Sequence, residues 1–281
     1  MNPDAPIRLA VIGHPIAHSR SPRIHTAFAQ QLGLSVDYQA VLAPLDGFAA
    51  TVAELRTRGW RGCNVTLPFK PEALTLATQA SPRAQLAGAA NTLGFEGDTL
   101  WADNTDGIGL VYDLVAARFA LSGKRVLLLG AGGACAGALA PLIEAGAAEI
   151  RIHNRSPDKA SALVERHLPL ARRHGVNLKT LGQLDGGAVY DGVINGTSAG
   201  LGGQALALPS GLVKPGGWAL DLVYGPAAEP FLSWARAQGA QTRDGLGMLV
   251  QQAAEAFALW TGQRPDPTPV LEALRAEANT A

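Results

Sequence analysis

A glycine-rich segment near the middle of the chain has the residues needed to bind a dinucleotide. It begins with the apolar run Val126 to Leu129, continues through a glycine turn and reaches a stretch of helix formers. A pyrophosphate can approach a helix N-terminus only where no Cβ blocks it, and the free N–H groups and the positive dipole end then hold its charge. An ordinary strand-to-helix turn without a ligand is the alternative. We expect a pyrophosphate on the turn formed by Gly130, Ala131, Gly132 and Gly133.

The end of the following strand indicates which dinucleotide binds. An NAD site places Asp or Glu about 20 residues after the first glycine, where the carboxylate binds the ribose hydroxyls. This sequence instead has Asn154, Arg155 and Ser156, with Lys159 one turn into the next helix. A guanidinium, a hydroxyl and an ammonium can bind a 2′-phosphate, so we predict NADP rather than NAD. The alternative is a basic helix start that is only solvated.

Two serines near the N-terminus could bind a carboxylate. Ser19 and Ser21 follow the apolar run Leu9 to Ile12, and Pro22 comes directly after Ser21. Serine followed by proline predicts an N-cap and a first helical position. Two hydroxyls and several free N–H groups would then gather between a strand end and a helix start. The alternative is that Ser21 only caps the helix and that Ser19 is a solvated loop residue.

A lysine and an aspartate stand at two further places where a ligand could bind. Lys70 lies between Pro68 and Pro71 after an apolar strand, and the two prolines stiffen the turn that carries its ammonium group. Ligands bind at the carboxyl edge of the strands in an open α/β sheet. Asp106 ends a polar stretch just before an apolar helix. Taken alone, Lys70 could face solvent and Asp106 could be an N-cap.

Strands and helices alternate along the chain in a way that could position these residues. In the first third, short apolar strands alternate with helices, which we predict at 44–58 and 73–80, and Glu96-Gly97-Asp98 indicates a β-hairpin turn. From residue 124 onward, a strand, a glycine turn, a helix and a second strand fit one βαβ unit. The pattern predicts an α/β protein.

Length and element order together predict two domains. A chain of 281 residues is long enough for two cores of ordinary size. We expect an open α/β substrate domain that is discontinuous, formed by residues 1–105 and 245–281. The intervening residues 106–244 would form a Rossmann-type NADP-binding domain.

Composition limits the partners of the chain. The 23 basic and 23 acidic side chains balance, so no net field attracts nucleic acid or an anionic membrane surface. No apolar run reaches the roughly 18 residues of a membrane span, and no signal peptide is expected. The two cysteines, Cys63 and Cys135, form no disulfide framework and no metal-ligand spacing, which favours a cytoplasmic location and no metal. We expect a small-molecule substrate and a monomer or homodimer.

Eight short strings occur in a fixed order: GHPIAHSRSP, NVTLPFK, AANTL, DNTDG, GAGGA, NRS, NGTSAG and DGLGMLVQQAA. In this order and spacing the chain resembles the shikimate/quinate dehydrogenase family, and within it the NADP-dependent shikimate dehydrogenases of the biosynthetic type. The resemblance covers nearly the whole chain from Val11 to Trp260. It implies an oxidoreductase that reversibly reduces 3-dehydroshikimate to shikimate with NADPH, a step of chorismate and aromatic amino acid biosynthesis.

The resemblance also implies roles for individual residues. Lys70 and Asp106 would be the catalytic pair. The substrate would be held by Ser19, Ser21, Asn64, Thr66, Asn91, Tyr224 and Gln252, with Asp106 contributing. NADP would be held by Gly130, Ala131, Gly132, Gly133, Ala134, Asn154, Arg155, Ser156, Lys159, Leu222 and Gly245. Two departures are modest, because Lys159 stands where arginine is often found and Leu222 where methionine is frequent.

Three alternatives remain open at this stage. A quinate or quinate/shikimate dehydrogenase that uses NAD would share the fold and most substrate contacts, although the basic cluster at 155–159 argues against it. A non-catalytic sensor would be expected to lack Lys70 or Asp106 or to carry a DNA-binding segment. A glutamyl-tRNA reductase-like or folate dehydrogenase-like enzyme has a related two-domain plan, but the first needs a reactive cysteine, and Cys63 is poorly placed for one.

Overall fold

A computed structural model describes residues 5–197 and 207–278 of the protein, so residues 198–200 of the NGTSAG string lie outside the described residues. The chain divides into two compact units, one formed by Met1–Gly109 and Val250–Ala281 and the other by Leu110–Leu249. Each unit boundary falls inside a helix. The domain limits given above from the sequence stay a prediction.

The first unit is built on a mixed sheet. Its elements are β1 (Ile7–Gly13), α1 (Ser21–Leu32), β2 (Val36–Leu42), α2 (Phe48–Thr57), β3 (Gly62–Val65), α3 (Lys70–Leu76), β4 (Gln79–Ala80), α4 (Pro82–Ala87), β5 (Thr92–Glu96), β6 (Thr99–Asp103) and, near the end of the described chain, α10 (Thr268–Ala278). In the described residues the sheet has six strands in the order β2-β1-β3-β5-β6-β4. Strand β1 pairs in parallel with β2 and β3, while β5 runs antiparallel to β3 and β6.

Local expectations for this unit were partly correct. The hairpin is confirmed, because Glu96 pairs with Thr99 across its turn. The predicted helix at 44–58 was wrong at its start, since Gly47 N–H donates to the Pro44 carbonyl and closes a turn before α2 begins. The predicted helix at 73–80 was displaced: α3 starts at Lys70, and residues 79–80 pair with β6 as a short strand. Tertiary pairing there overrides the helix propensity of the segment.

The second unit is built on a parallel sheet. Its elements are β7 (Arg125–Leu129), α6 (Gly133–Glu144), β8 (Glu149–His153), α7 (Pro157–Arg173), β9 (Asn177–Thr180), β10 (Tyr190–Asn195), β11 (Val213–Asp221), α8 (Glu229–Ala237) and β12 (Gln241–Arg243). Helices α5 (Asp106–Ala116) and α9 (Leu246–Thr261) each begin in one unit and end in the other.

The strand order of this sheet is that of a dinucleotide-binding fold. The described strands are arranged β12-β11-β10-β7-β8-β9, and every neighbouring pair is parallel. Counted from β7, this is the doubly wound order 3-2-1-4-5-6, in which the glycine turn follows the first strand. Four residues of β7, Val126 to Leu129, are buried, as a strand covered on both faces requires. The predicted α/β fold with a Rossmann-type half is confirmed.

Membrane-spanning helices are absent from the described ranges, where no helix combines the length and the apolar character that crossing a bilayer requires.

Candidate active site

Lys70 and Asp106 form a close ion pair in the first unit. Lys70 is the first residue of α3 and Asp106 the first residue of α5, and Lys70 Nζ lies 2.6 Å from Asp106 Oδ2. Their side chains are 18% and 9% exposed, so the pair is shielded but still open to a small ligand. The alternative that Lys70 is a solvated turn residue is wrong, because its ammonium group is held by a carboxylate.

The Asn91 amide holds the other oxygen of Asp106 and links it to a wider hydrogen-bonded cluster. Asn91 Nδ2 donates to Asp106 Oδ1 at 2.8 Å and to Gln252 Oε1 at 3.1 Å. Thr105 N–H donates to Asn91 Oδ1 at 2.8 Å, and Asn104 Oδ1 accepts the N–H of Asp106. The structure therefore brings together four predicted residues from distant parts of the sequence: Lys70, Asn91, Asp106 and Gln252.

Asn64 and Thr66 belong to the neighbouring strand end. Asn64 is a buried residue of β3, and its Nδ2 donates to the Asn91 carbonyl oxygen at 3.1 Å, which joins it to the cluster. Thr66 follows β3, is half-buried, and its N–H donates to the Ile12 carbonyl at 2.9 Å. Both residues thus lie at the carboxyl end of β3, where ligands bind in open α/β sheets.

The two serines are placed at the start of α1, but their local roles differ from the sequence expectation. Ser21 is the first helical residue, and Arg20 occupies the N-cap position without a capping hydrogen bond from its own side chain. The N-cap assignment of Ser21 was therefore wrong. Ser19 Oγ instead accepts the Ser21 N–H at 3.3 Å. Because neither hydroxyl caps the helix as an N-cap, both remain candidates for carboxylate binding.

Cys63 is excluded as a nucleophile. It is fully buried in β3, and burial raises the pKa of its thiol well above the ordinary value. The thiolate is the reactive form of cysteine, so this residue is inert. The reductase alternative that needs a reactive cysteine in the first unit loses its candidate.

The glycine turn of the second unit fits a pyrophosphate. Gly130 directly follows β7 with φ +111°, a conformation that favours glycine, and an added Cβ there would lie 3.0 Å from Cys135 Sγ. An added Cβ at Gly132 or Gly133 would have no neighbour within 4 Å, so the space before α6 is open. No side-chain cap occupies the α6 N-terminus among the described residues, and no acidic residue is in its first turn. Ala131 and Ala134 complete this cradle.

The residues that the sequence predicts for the 2′-phosphate are exposed at the start of α7. Arg155, Ser156 and Lys159 are exposed, and within the described residues neither basic side chain is in an ion pair. Asn154 Nδ2 donates to the Ser156 carbonyl at 2.9 Å and shapes the turn. Two cationic groups and a hydroxyl within six residues of the end of β8 suit a phosphate dianion.

Leu222 follows β11, Gly245 comes after β12, and the two residues are in direct contact. Gly245 N–H donates to the Val223 carbonyl at 2.9 Å, and an added Cβ on Gly245 would lie 2.3 Å from the Leu222 carbonyl oxygen. Only glycine fits this approach. Tyr224 also belongs to the second unit, where it is half-buried before a short 3₁₀ turn at 225–228. Its role as a substrate ligand stays a prediction.

The structure adds residues that the sequence reasoning did not assign. In the second unit, Asn195 Nδ2 donates to Asp221 Oδ2 at 2.8 Å, and Val223 N–H donates to Asp221 Oδ1 at 2.9 Å. Asp221 is buried, and burial raises its pKa to about 6, opposed by the Val223 and Asn195 donors. This pair ties the ends of β10 and β11 together just before Leu222. In the sequence, the sign that could have indicated Asp221 is an aspartate at the end of an apolar strand.

In the first unit, the added residues are Tyr38 and Thr92. Tyr38 Oη donates to Asn64 Oδ1 at 2.7 Å, and Thr92 Oγ1 lies between Asn64 and Asn91. Both residues are buried. A hydroxyl inside a strand gives little sign in the sequence that it contacts a site rather than the core.

The second unit has the parallel sheet of a dinucleotide-binding fold, and the first unit has a shielded lysine–aspartate pair. Together these features define a dehydrogenase of the nicotinamide-dependent class. Comparison with known families gives the particular member. Family models described as the shikimate dehydrogenase substrate binding domain, the shikimate/quinate 5-dehydrogenase and the shikimate 5′-dehydrogenase C-terminal domain match residues 11–93, 113–199 and 245–275. The chain belongs to the shikimate dehydrogenase (NADP+) family.

Individual relatives support this membership. A shikimate dehydrogenase (NADP(+)) of Acidovorax sp. (strain JS42) is 53% identical over 267 residues, which cover 95% of each chain. A crystal structure of an Ael1 enzyme from Pseudomonas putida has a TM-score of 0.87 at 45% identity, covering 95% of this chain and 97% of that one. A shikimate 5-dehydrogenase from Thermus thermophilus in complex with NADP(H) and shikimate has a TM-score of 0.85 at 39% identity, covering 96% of this chain and 99% of that one.

Proposed function

We propose that this protein reversibly reduces 3-dehydroshikimate to shikimate with NADPH, a step of chorismate and aromatic amino acid biosynthesis. The observation that carries this proposal is the 2.6 Å contact between Lys70 Nζ and Asp106 Oδ2 at the carboxyl edge of the first unit. Membership of the shikimate dehydrogenase family supplies the substrate class. NADPH supplies the hydride when it is bound.

The lysine–aspartate pair provides the proton chemistry of this reaction. Reduction of a ring ketone builds negative charge on its oxygen, and an ammonium group within reach can donate a proton to that oxygen. Asp106 Oδ2 holds the Lys70 ammonium group in one orientation, and Asn91 holds Asp106 from its other side. Lys70 is therefore the proposed proton donor, and Asp106 the residue that orients it. In the reverse direction the same amine accepts the hydroxyl proton.

The remaining residues are assigned to binding. Ser19, Ser21 and Tyr224 are proposed for the substrate carboxylate, because hydroxyl groups donate well to a carboxylate. The ring hydroxyls are assigned to Asp106 and to three amides and one hydroxyl of the first unit: Asn64, Asn91, Gln252 and Thr66. The amide and hydroxyl side chains can both donate and accept, as a polyol ring requires.

NADP is the proposed cofactor. The open turn at Gly130 to Ala134 would hold the pyrophosphate, and Arg155, Ser156 and Lys159, with Asn154 shaping the turn, would hold the 2′-phosphate. Leu222 and Gly245 are assigned to the nicotinamide end. Lysine at position 159 offers a point charge without the bidentate fork of arginine, so Arg155 should carry most of the discrimination against NAD.

A steady-state assay of the purified protein tests the proposal. Shikimate with NADP+ should produce NADPH, followed by its absorbance, with a kcat/KM at least about tenfold above that of shikimate with NAD+ or quinate with NADP+. Equal efficiency with quinate and NAD+ would instead support the catabolic quinate dehydrogenase. Absence of NADPH formation from a folded protein that binds NADP+ would support the sensor alternative. A cytoplasmic location and a monomeric or homodimeric state stay predictions.

A further inference from the structure

A single buried hydroxyl lies between two amides of the proposed substrate site. Thr92, the first residue of β5, is fully buried. Its Oγ1 lies 3.2 Å from Asn64 Nδ2 and 2.9 Å from Asn91 Oδ1. The sequence gives no indication of a role for this hydroxyl. A fully buried side chain does not reach a ligand directly.

The orientation of the Asn64 amide follows from its fixed neighbours. The Asn91 backbone carbonyl can only accept a hydrogen bond, and it lies 3.1 Å from one terminal atom of Asn64. That atom must be the nitrogen, because an oxygen there would face another oxygen without a proton. The oxygen of Asn64 then faces Tyr38 Oη at 2.7 Å and accepts its proton.

The orientation of the Asn91 amide follows in the same way. The backbone N–H of Thr105 can only donate, and it lies 2.8 Å from one terminal atom of Asn91, which must therefore be the oxygen. The nitrogen of Asn91 then faces Asp106 Oδ1 at 2.8 Å, where it donates to the carboxylate.

These two orientations leave one arrangement for the hydroxyl between them. Thr92 Oγ1 faces a donor on Asn64 and an acceptor on Asn91, so it accepts from the first and donates to the second. The bonds then run in one direction through five side chains that end at the partner of the lysine: Tyr38, Asn64, Thr92, Asn91 and Asp106. Bonds aligned in this way polarise one another and strengthen the chain.

We propose that Thr92 is a positioning residue for catalysis: its hydroxyl keeps the Asn64 and Asn91 amides in the orientations that bind the substrate and hold Asp106 against Lys70. This inference rests on the proposed function, since it assigns a role within the same site. Valine at position 92 would keep the shape of the side chain and replace the hydroxyl by a methyl group. The Asn91 oxygen would then lose one donor, and the Asn64 nitrogen would face a carbon.

Full-length Thr92→Val and Thr92→Ser variants, assayed beside the wild type, test the proposal. Valine keeps the branched shape without the hydroxyl, whereas serine keeps the hydroxyl without the methyl group. We expect Thr92→Val to lower kcat/KM for shikimate about tenfold or more, as the loss of one well-placed hydrogen bond does. Thr92→Ser should return kcat/KM to within about threefold of the wild type. The dissociation constant for NADP+, measured by titration calorimetry, should stay within about twofold in both variants, because the proposed NADP residues are in the second unit.

The outcomes separate this inference from the proposed function. A wild type that forms no NADPH from shikimate would refute the proposed function and, with it, the role of Thr92 in that site. An active wild type with an equally active Thr92→Val variant would refute the positioning role alone. Equal losses in the valine and serine variants would assign the effect to packing of the methyl group and overturn the proposal as well. If Thr92→Val does not fold, Thr92→Ala replaces it, and equal kcat/KM for the alanine and serine variants overturns the proposal.

Discussion

Lys70 and Asp106 are 36 positions apart in the sequence, yet Lys70 Nζ lies 2.6 Å from Asp106 Oδ2. Each residue starts a helix, α3 or α5, so the position of each side chain is fixed by a rigid element rather than by a loop tip. The contact unites an ammonium group that can donate a proton with a carboxylate that holds it in place.

Lys70→Ala should abolish most of the turnover while leaving the substrate bound. Removal of a general acid typically costs on the order of 10²- to 10⁴-fold in rate, so we expect kcat to fall by that factor with a smaller change in KM. Steady-state kinetics with shikimate and NADP+ measure both constants. The matched control is Lys124→Ala, which alters a lysine of the second unit that has no assigned role. Near-normal turnover in Lys70→Ala would show that Lys70 is not the proton donor.

Arg155→Ala should reduce the preference for NADP over NAD. Loss of one charge-assisted contact to the 2′-phosphate should raise KM for NADP+ about tenfold or more and leave KM for NAD+ within about twofold. Lys159→Ala should act in the same direction with a smaller effect, because lysine binds as a point charge. Kinetics with both cofactors measure the ratio. Arg173→Ala, which alters an exposed arginine in the last turn of the same helix α7, is the control. If Arg155→Ala leaves the preference for NADP+ over NAD+ unchanged, Arg155 does not bind the 2′-phosphate.

The sequence predicted the second unit better than the first. In β7 and α6, strand composition, glycine turn and helix formers all indicate the same structure, and local agreement of this kind makes prediction reliable. In the first unit, β4 consists of only Gln79 and Ala80, and it exists because both residues pair with β6. Such a strand depends on a distant partner, so local propensity predicts a helix there instead.

The same distinction applies to the site. Lys70 and Asp106 could be predicted as site residues because the family resemblance includes both and because polar residues that follow a strand are recognisable in the sequence. Tyr38 and Thr92 could not, since a hydroxyl in a strand has no distinguishing pattern in the sequence, and only the folded sheet shows that each hydroxyl contacts Asn64. The misplaced N-cap at Ser21 has a related cause, because serine before proline fits both the cap and the first helical position.

Asp221→Asn should change how the stability of the protein depends on pH. Burial raises the pKa of Asp221 to about 6 from an ordinary 3.8. The native state therefore holds this proton between about pH 4 and 6, where the unfolded chain has lost it, so the wild type gains stability as the pH falls through that range. The gain between pH 7 and pH 4.5 is roughly 2 kcal/mol. Asparagine cannot titrate, so the variant should lack this gain.

Urea unfolding of both proteins at pH 7 and pH 4.5 measures the effect. The free energy of unfolding of the variant minus that of the wild type should be higher at pH 7 than at pH 4.5. The replacement of one carboxylate oxygen changes both values by the same amount and does not affect this comparison. A difference that stays constant with pH would show that Asp221 keeps an ordinary pKa in the folded protein.

His25 should impose the opposite pH dependence on the first unit. Its ring is fully buried and stacks on Tyr38 with a centroid distance of 4.1 Å. Burial lowers the pKa of His25 to about 3, and the Asn64 side chain opposes this only in part. Between about pH 3 and 6.5 the unfolded chain binds a proton that the native state does not, so stability is lost as the pH falls through this window.

A His25→Gln variant isolates this contribution, because glutamine is neutral at every pH. At pH 7 the variant should be less stable than the wild type, since it loses the aromatic stack on Tyr38. At pH 4.5 the wild type carries an additional cost of roughly 2 to 3 kcal/mol for keeping the imidazole neutral, so the difference between the two proteins should shrink by that amount or reverse. Urea unfolding at both pH values gives the two differences directly. If they are equal, the imidazole gains a proton in the folded protein, and the packing around Tyr38 must accommodate a charge.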